Sequence, residues 1–209
     1  MKKRIFQAFI FIGIAAQFGV LTSNIVLHEI TVRRGTVHRF QTAPIDPFDA
    51  FRGRYVALIF KEFTKEIQSD VDIPEDKWCY LQIGTDSEGF SVIKHISQKN
   101  DAQSPYLKAR VRYSHPELAC EEKAGSEGKS YCTQTGKHYI YFYSPFNRYY
   151  MPERLAPQAE EAYRQASRVG KRNAAAVVRI WNGRAVVEDL EIDGIPIREF
   201  LMMNVDIEP

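Results

Sequence analysis

At 209 residues the chain suits one domain plus an accessory segment, and its 44% apolar content is enough for a single packed core. The net charge of +2 includes Lys2, Lys3 and Arg4, so the remainder holds 25 basic against 26 acidic residues. That balance excludes the strongly basic footprint of a nucleic-acid binder. Aromatics make up 12% of the chain, with Tyr and Phe far outnumbering Trp, a bias toward strands.

In chain order, the first feature is the run Ile5 to Leu27, which follows the basic cluster Lys2, Lys3, Arg4 and carries no formal charge. As a helix it would reach roughly 34 Å, against a hydrocarbon core of about 30 Å. A cleaved signal peptide and a buried core helix are the competing readings. Ala15 and Ala16 sit mid-run and Leu21-Thr22-Ser23 is not a small-x-small motif, so the run reads as an uncleaved signal anchor. The basic cluster then lies in the cytoplasm by the positive-inside rule. Residues 1–28 are the expected cytoplasmic tip and transmembrane helix. Residues 29–209 are the expected extracytoplasmic domain, facing the periplasm or cell exterior from the inner (cytoplasmic) membrane.

Residues 29–45 alternate loosely and predict one or two strands interrupted at Gly35. A turn-rich stretch follows from Asp46 to Gly53, and Tyr55 to Phe60 is a clear β run. Trp78 to Ile83, Phe90 to Ile96, Tyr106 to Tyr113 and His138 to Tyr143 are further strands, with Glu121 to Tyr131 reading as a long loop. Helical spacing of Leu155, Ala159, Ala162, Tyr163 and Ala166 predicts one helix, opened at Pro152 and closed at Gly170. Asn182-Gly183, between two apolar runs, is the strongest hairpin signal, and Asp193-Gly194 provides a second turn. The expected fold is mainly β, an antiparallel sandwich or barrel-like sheet, with one short helix near residues 153–169 and the N-terminal transmembrane helix.

Three cysteines lie in the part beyond the anchor. Cys120 and Cys132 flank the predicted loop and are candidates for a disulfide, two separate thiols being the alternative. The chain-entropy model gives roughly 3 kcal/mol for such a closure. Cys79, in an apolar strand, reads as a buried free thiol.

Candidate chemistry is sparse. The five histidines, His28, His38, His95, His115 and His138, form no HExxH pair, and Cys120, Cys132 and His138 lack the paired-cysteine core of a zinc site, so no metal or cofactor is expected. Gly128-Lys129-Ser130 imitates the end of a P-loop, but Lys123 stands where its first glycine belongs. No Gly-x-Ser-x-Gly elbow occurs. Tyr139, Tyr141, Tyr143, Tyr149 and Tyr150 are candidates for a stacking surface, the first three on one sheet face, with a semi-buried face as the ordinary reading.

The stretch Pro44-Ile45-Asp46-Pro47-Phe48-Asp49-Ala50-Phe51-Arg52-Gly53-Arg54-Tyr55-Val56-Ala57-Leu58 resembles the defining segment of the GDYXXLXY family, membrane-associated bacterial proteins of uncharacterised activity. Gly53, Tyr55 and Leu58 match the motif, Arg54 replaces its Asp and Phe60 its final Tyr. Asn147 to Glu153 and the hairpin through Asp193-Gly194 are similar to later family segments. The resemblance implies a bacterial envelope protein, often encoded beside multi-pass membrane proteins, and so a multi-pass membrane protein as partner. Locally, Asp46 and Asp49 suit Asx turns, Pro47 fixes φ and Gly53 permits positive φ. The functional reading makes Asp46, Asp49, Arg52, Arg54 and Tyr55 a binding surface, joined by Arg148, Tyr150 and Glu153 where the two segments meet. An envelope hydrolase and a cell-wall glycan-binding module are the alternatives to partner binding.

Overall fold

The computed structural model describes residues 2–43, 55–100, 105–122, 130–167 and 174–205. Asp46, Asp49, Arg52, Arg54 and Gly170 lie outside them. The chain begins with one helix, α1 (Lys2–Arg34). Its part Ile10–Arg34 is long and apolar enough to cross a membrane, and no residue of its most apolar 18-residue window is buried. Phe6, Phe11, Phe18, Leu21 and Ile25 are each more than 60% exposed, which does not fit a buried core helix.

The strand expected before Gly35 is corrected by this helix, which runs on through 29–34. Ile30, Thr31 and Val32 suggest a strand by their β-branched side chains, but the Glu29–Arg33 pair at 2.6 Å supports the helix at i,i+4 spacing. Arg33 and Arg34 in the last turn complement the helix dipole. Gly35 ends it, donating its N–H to the Thr31 carbonyl at 2.9 Å.

The remaining elements are β1 (Thr36–Ala43), β2 (Tyr55–Ala57), β3 (Ile59–Phe60), α2 (Lys61–Thr64), β4 (Ile67–Ser69), β5 (Trp78–Thr85), β6 (Ser91–Ser97) and β7 (Tyr106–Glu122). They continue with β8 (Ser130–Tyr143), β9 (Arg148–Tyr150), α3 (Ala156–Ala166), β10 (Ala174–Trp181), β11 (Arg184–Ile192), β12 (Ile195–Pro196) and α4 (Ile197–Val205). Two five-stranded sheets, ordered β12-β11-β10-β1-β3 and β4-β8-β7-β5-β6, share one core with a two-stranded ribbon of β2 and β9. The named strands pair antiparallel throughout, so the fold is mainly β.

Strand alternation fills the core from both sheets. Phe40, Ala176, Val178 and Leu190 come from one; Leu81, Leu107, Val111 and Ile140 come from the other, and all are essentially inaccessible. Between the sheets, Phe40, Phe60, Phe63 and Phe146 form a ring cluster with centroids 4.8 to 6.5 Å apart. Each buried phenylalanine contributes about 1.5–3 kcal/mol of transfer free energy. Asn182 (φ 48°) and Gly183 (φ 78°) turn β10 into β11 as their sequence predicts. Gly183 also lies so close to β7 that an added Cβ would sit 2.7 Å from the Tyr106 ring.

Three sequence expectations change. The run Tyr55 to Phe60 splits at Leu58, whose N–H donates to the Asn147 carbonyl at 2.9 Å, so that β2 pairs with β9 and β3 with β1. The β7–β8 ladder runs out to Glu122 and Ser130, beyond the loop boundary expected at Glu121 and Tyr131. Helix α3 begins at Ala156, with a proline in its first turn, and buries Ala159, Tyr163 and Ala166. The Tyr163 hydroxyl donates to the Ala43 carbonyl at 3.2 Å.

Candidate functional site

The β2–β9 ribbon brings two distant segments into register, Tyr55 opposite Tyr150 and Ala57 opposite Arg148. Alternation turns Val56 and Tyr149 inward, where both are buried. Outward, Arg148 lies over the Tyr55 ring at 4.9 Å and Tyr150 meets that ring edge-on at 5.7 Å. A hydrogen bond to Tyr150 comes first among the effects that raise the Arg148 pKa above its ordinary value. Tyr150 remains 63% exposed, and an exposed Tyr-Arg-Tyr set offers the side chains that dominate protein interfaces. The inner half of the ribbon is fixed by the Tyr149 hydroxyl, which donates to Asp189 at 3.0 Å. Burial, then Asp189, pushes that phenol up. Tyr55, Arg148 and Tyr150 therefore meet, and Glu153 is exposed in the turn leading to α3.

The five tyrosines read as a stacking set divide. Tyr149 is interior and Tyr150 belongs to the ribbon, while Tyr139, Tyr141 and Tyr143 share the outer face of the second sheet. There Tyr113 pairs with Tyr141 and His115 with Tyr139. Two carboxylates anchor the face: Glu66 accepts from the Tyr141 hydroxyl at 2.7 Å. Glu117 accepts from Thr135 at 2.6 Å, Tyr139 at 2.7 Å and Gln68 at 3.0 Å. Those bonds, Thr135 first, hold the Glu117 carboxyl below its usual range, and the same carboxylates push the Tyr139 and Tyr141 phenols up. Glu66 and Glu117 escape sequence reasoning because only the β4–β8–β7 register brings them to the tyrosines.

Cys120 and Cys132 face each other across the β7–β8 ladder and are joined by a disulfide. Cys79 is a buried free thiol, and burial raises its pKa to about 12. Among the described residues no group of three or more His, Cys, Asp or Glu side chains is placed to hold a metal ion.

The family model described as GDYXXLXY protein matches residues 17–190, from within α1 into β11. No curated protein and no solved structure matches the chain. The match takes in the C-terminal half of α1, strands β1 to β10, most of β11 and the Tyr55–Arg148–Tyr150 ribbon, and the chain belongs to the GDYXXLXY family.

Proposed function

We propose that this protein is a membrane-tethered accessory domain of the bacterial envelope that binds an integral membrane partner through the β2–β9 ribbon. Its domain stands on the non-cytoplasmic side, with α1 as a single-pass anchor and Lys2, Lys3 and Arg4 in the cytoplasm. The observation that carries the reading is the outward set of Tyr55, Arg148 and Tyr150 on paired β2 and β9. Asp46, Asp49, Arg52 and Arg54 precede Tyr55 in the chain and extend the same surface in this reading, as does Glu153 beyond Tyr150. Tyrosine rings with few rotamers, and a guanidinium already held over one of them, present a large contact area at low entropic cost.

Purification of the tagged full chain in a gentle detergent tests it. The expected result is a stoichiometric integral membrane protein that is lost when Tyr55 and Arg148 are both replaced by Ala. A solitary monomer from the wild-type chain would count against partner binding.

A second reading, glycan recognition, draws on Tyr113, Tyr141 and Tyr143, which line a shared shallow depression with Glu75 and Arg112. Aromatic faces beside polar groups suit sugar rings. Retention of the full chain on peptidoglycan, lost on Tyr141→Ala, would promote this reading over the first.

A further inference from the structure

A cleft of about 740 Å³ opens between the C-terminal turns of α1 and the domain. One helix face, Asn24, Leu27, His28 and Thr31, forms one wall. The opposite walls carry Lys108, Arg110 and Arg184 together with Trp78 and Tyr143, and no Asp or Glu lines the cleft. Arg110 is partly neutralised by Asp76 at 2.8 Å. Lys108 lies over the Trp78 ring at 5.3 Å, and neither it nor Arg184 forms an ion pair with a described residue.

The position of the cleft on α1 decides what it meets. The apolar run ends at Leu27, and the headgroup layer extends roughly 5–7 Å beyond the hydrocarbon on each side. From Asn24 to Thr31 the helix rises about 10 Å, so this wall straddles the boundary between hydrocarbon and headgroups. Trp78 and Tyr143 are 58% and 49% exposed, the placement such rings take at a membrane–water interface. Thr31 is fully buried and Arg179 donates to the Gly35 carbonyl at 3.3 Å, so the foot of α1 is seated on the domain.

The geometry points to a binding site for the phosphate-bearing headgroup of an anionic phospholipid, held by Lys108 and Arg184 between Trp78 and the foot of α1. The inference rests on the reading that α1 crosses a membrane. The occupant is a lipid rather than a soluble anion because one wall of the cleft is the anchor itself, continuous with the acyl layer. The phosphate meets the basic pair, and the glycerol and upper chain lie along Leu27. The site holds the domain at a fixed tilt on the bilayer, since the anchor and the headgroup contact constrain it at two points.

Native mass spectrometry of the full chain released from nanodiscs tests the site, with phosphatidylglycerol discs compared with phosphatidylcholine discs. Lys2, Lys3 and Arg4 attract anionic lipid on the other leaflet, so all comparisons use a background in which these three are Gln. In that background, one phosphatidylglycerol is expected to remain bound where phosphatidylcholine does not. Replacing Lys108 and Arg184 by Gln is expected to weaken that binding about thirtyfold. Lys108→Arg, which keeps the charge, is expected to retain it, and this variant separates loss of charge from misfolding. Equal retention of the two lipids, or wild-type retention by the double variant, would overturn the site. Displacement of the lipid by millimolar inorganic phosphate would overturn its assignment to lipid. Recovery of the protein outside the discs would overturn the anchoring reading and the site with it.

Discussion

The Arg148 guanidinium lies over the Tyr55 ring, 4.9 Å from its centroid, although the two residues belong to segments far apart in the chain. Each is outward-facing on a ribbon whose inner side, Val56 and Tyr149, is buried. The outer side can therefore be changed without disturbing the core. Arg148→Ala is expected to leave the thermal midpoint nearly unchanged while abolishing recovery of the proposed membrane partner. A large fall in the midpoint would make Arg148 a structural residue.

Phe40 touches Phe60, Phe63 and Phe146, joining β1, β3, α2 and the turn before β9. Phe40→Ala removes a fully buried ring at the junction of the sheets. It is expected to cost about 3–5 kcal/mol in urea unfolding, where an exposed phenylalanine would cost far less.

Gly35 closes α1 against β10. A Cβ there would lie 2.4 Å from the Thr31 carbonyl oxygen and 3.1 Å from the Arg179 Cβ. Gly35→Ala is expected to destabilise the fold by about 1–3 kcal/mol and to loosen the joint between α1 and the domain, read as faster amide exchange at Thr36 and Val37.

The cysteines differ in accessibility. With Cys120 and Cys132 bridged and Cys79 buried with its pKa raised to about 12, the native chain is expected to react with no thiol reagent. In denaturant without reductant it should take up a single label, at Cys79. Labelling of three thiols would mean that the bridge does not form.

His38 sits half-buried between Thr36 at 2.9 Å and Ser91 at 3.2 Å, and burial lowers its pKa below 6.5. Well above about pH 6.5 the ring is neutral in both folded and unfolded chains. As pH falls toward the lowered folded value, the unfolded chain takes up a proton that the folded one resists, so stability declines with acid. The urea midpoint of the wild type is expected to fall as the pH is lowered from neutral through the histidine range. His38→Gln should flatten that slope.

The legible parts of the fold were those where local chemistry and burial agree. Asn182-Gly183 needs two positive φ values and has two residues that tolerate them. Tyr163 and Ala159 mark the buried face of α3 because helical spacing and core contact coincide there. The outer half of the β7–β8 ladder was not legible: Leu118, Ala119, Cys120 and Cys132 to Gly136 are exposed, so no alternation marks them as strands. The break at Leu58 was hidden because its cause is a carbonyl at Asn147. Helix α4 was missed for its brevity, although Ile197 and Leu201 bury an i,i+4 pair. At the ribbon, sequence supplied Tyr55, Arg148 and Tyr150 as candidates, but only strand pairing could say that they touch. The basic cleft at the foot of α1 left no trace, since its residues come from α1, β5, β7, β8 and β11.

The most direct test of partner binding is photocrosslinking in intact membranes, with a photoreactive phenylalanine analogue in place of Tyr150 and, separately, in place of Ser87 on the exposed β5–β6 turn. A discrete adduct with an integral membrane protein is expected from position 150 and none from position 87. No adduct from position 150, or the same adducts from both, would contradict a binding surface on the ribbon.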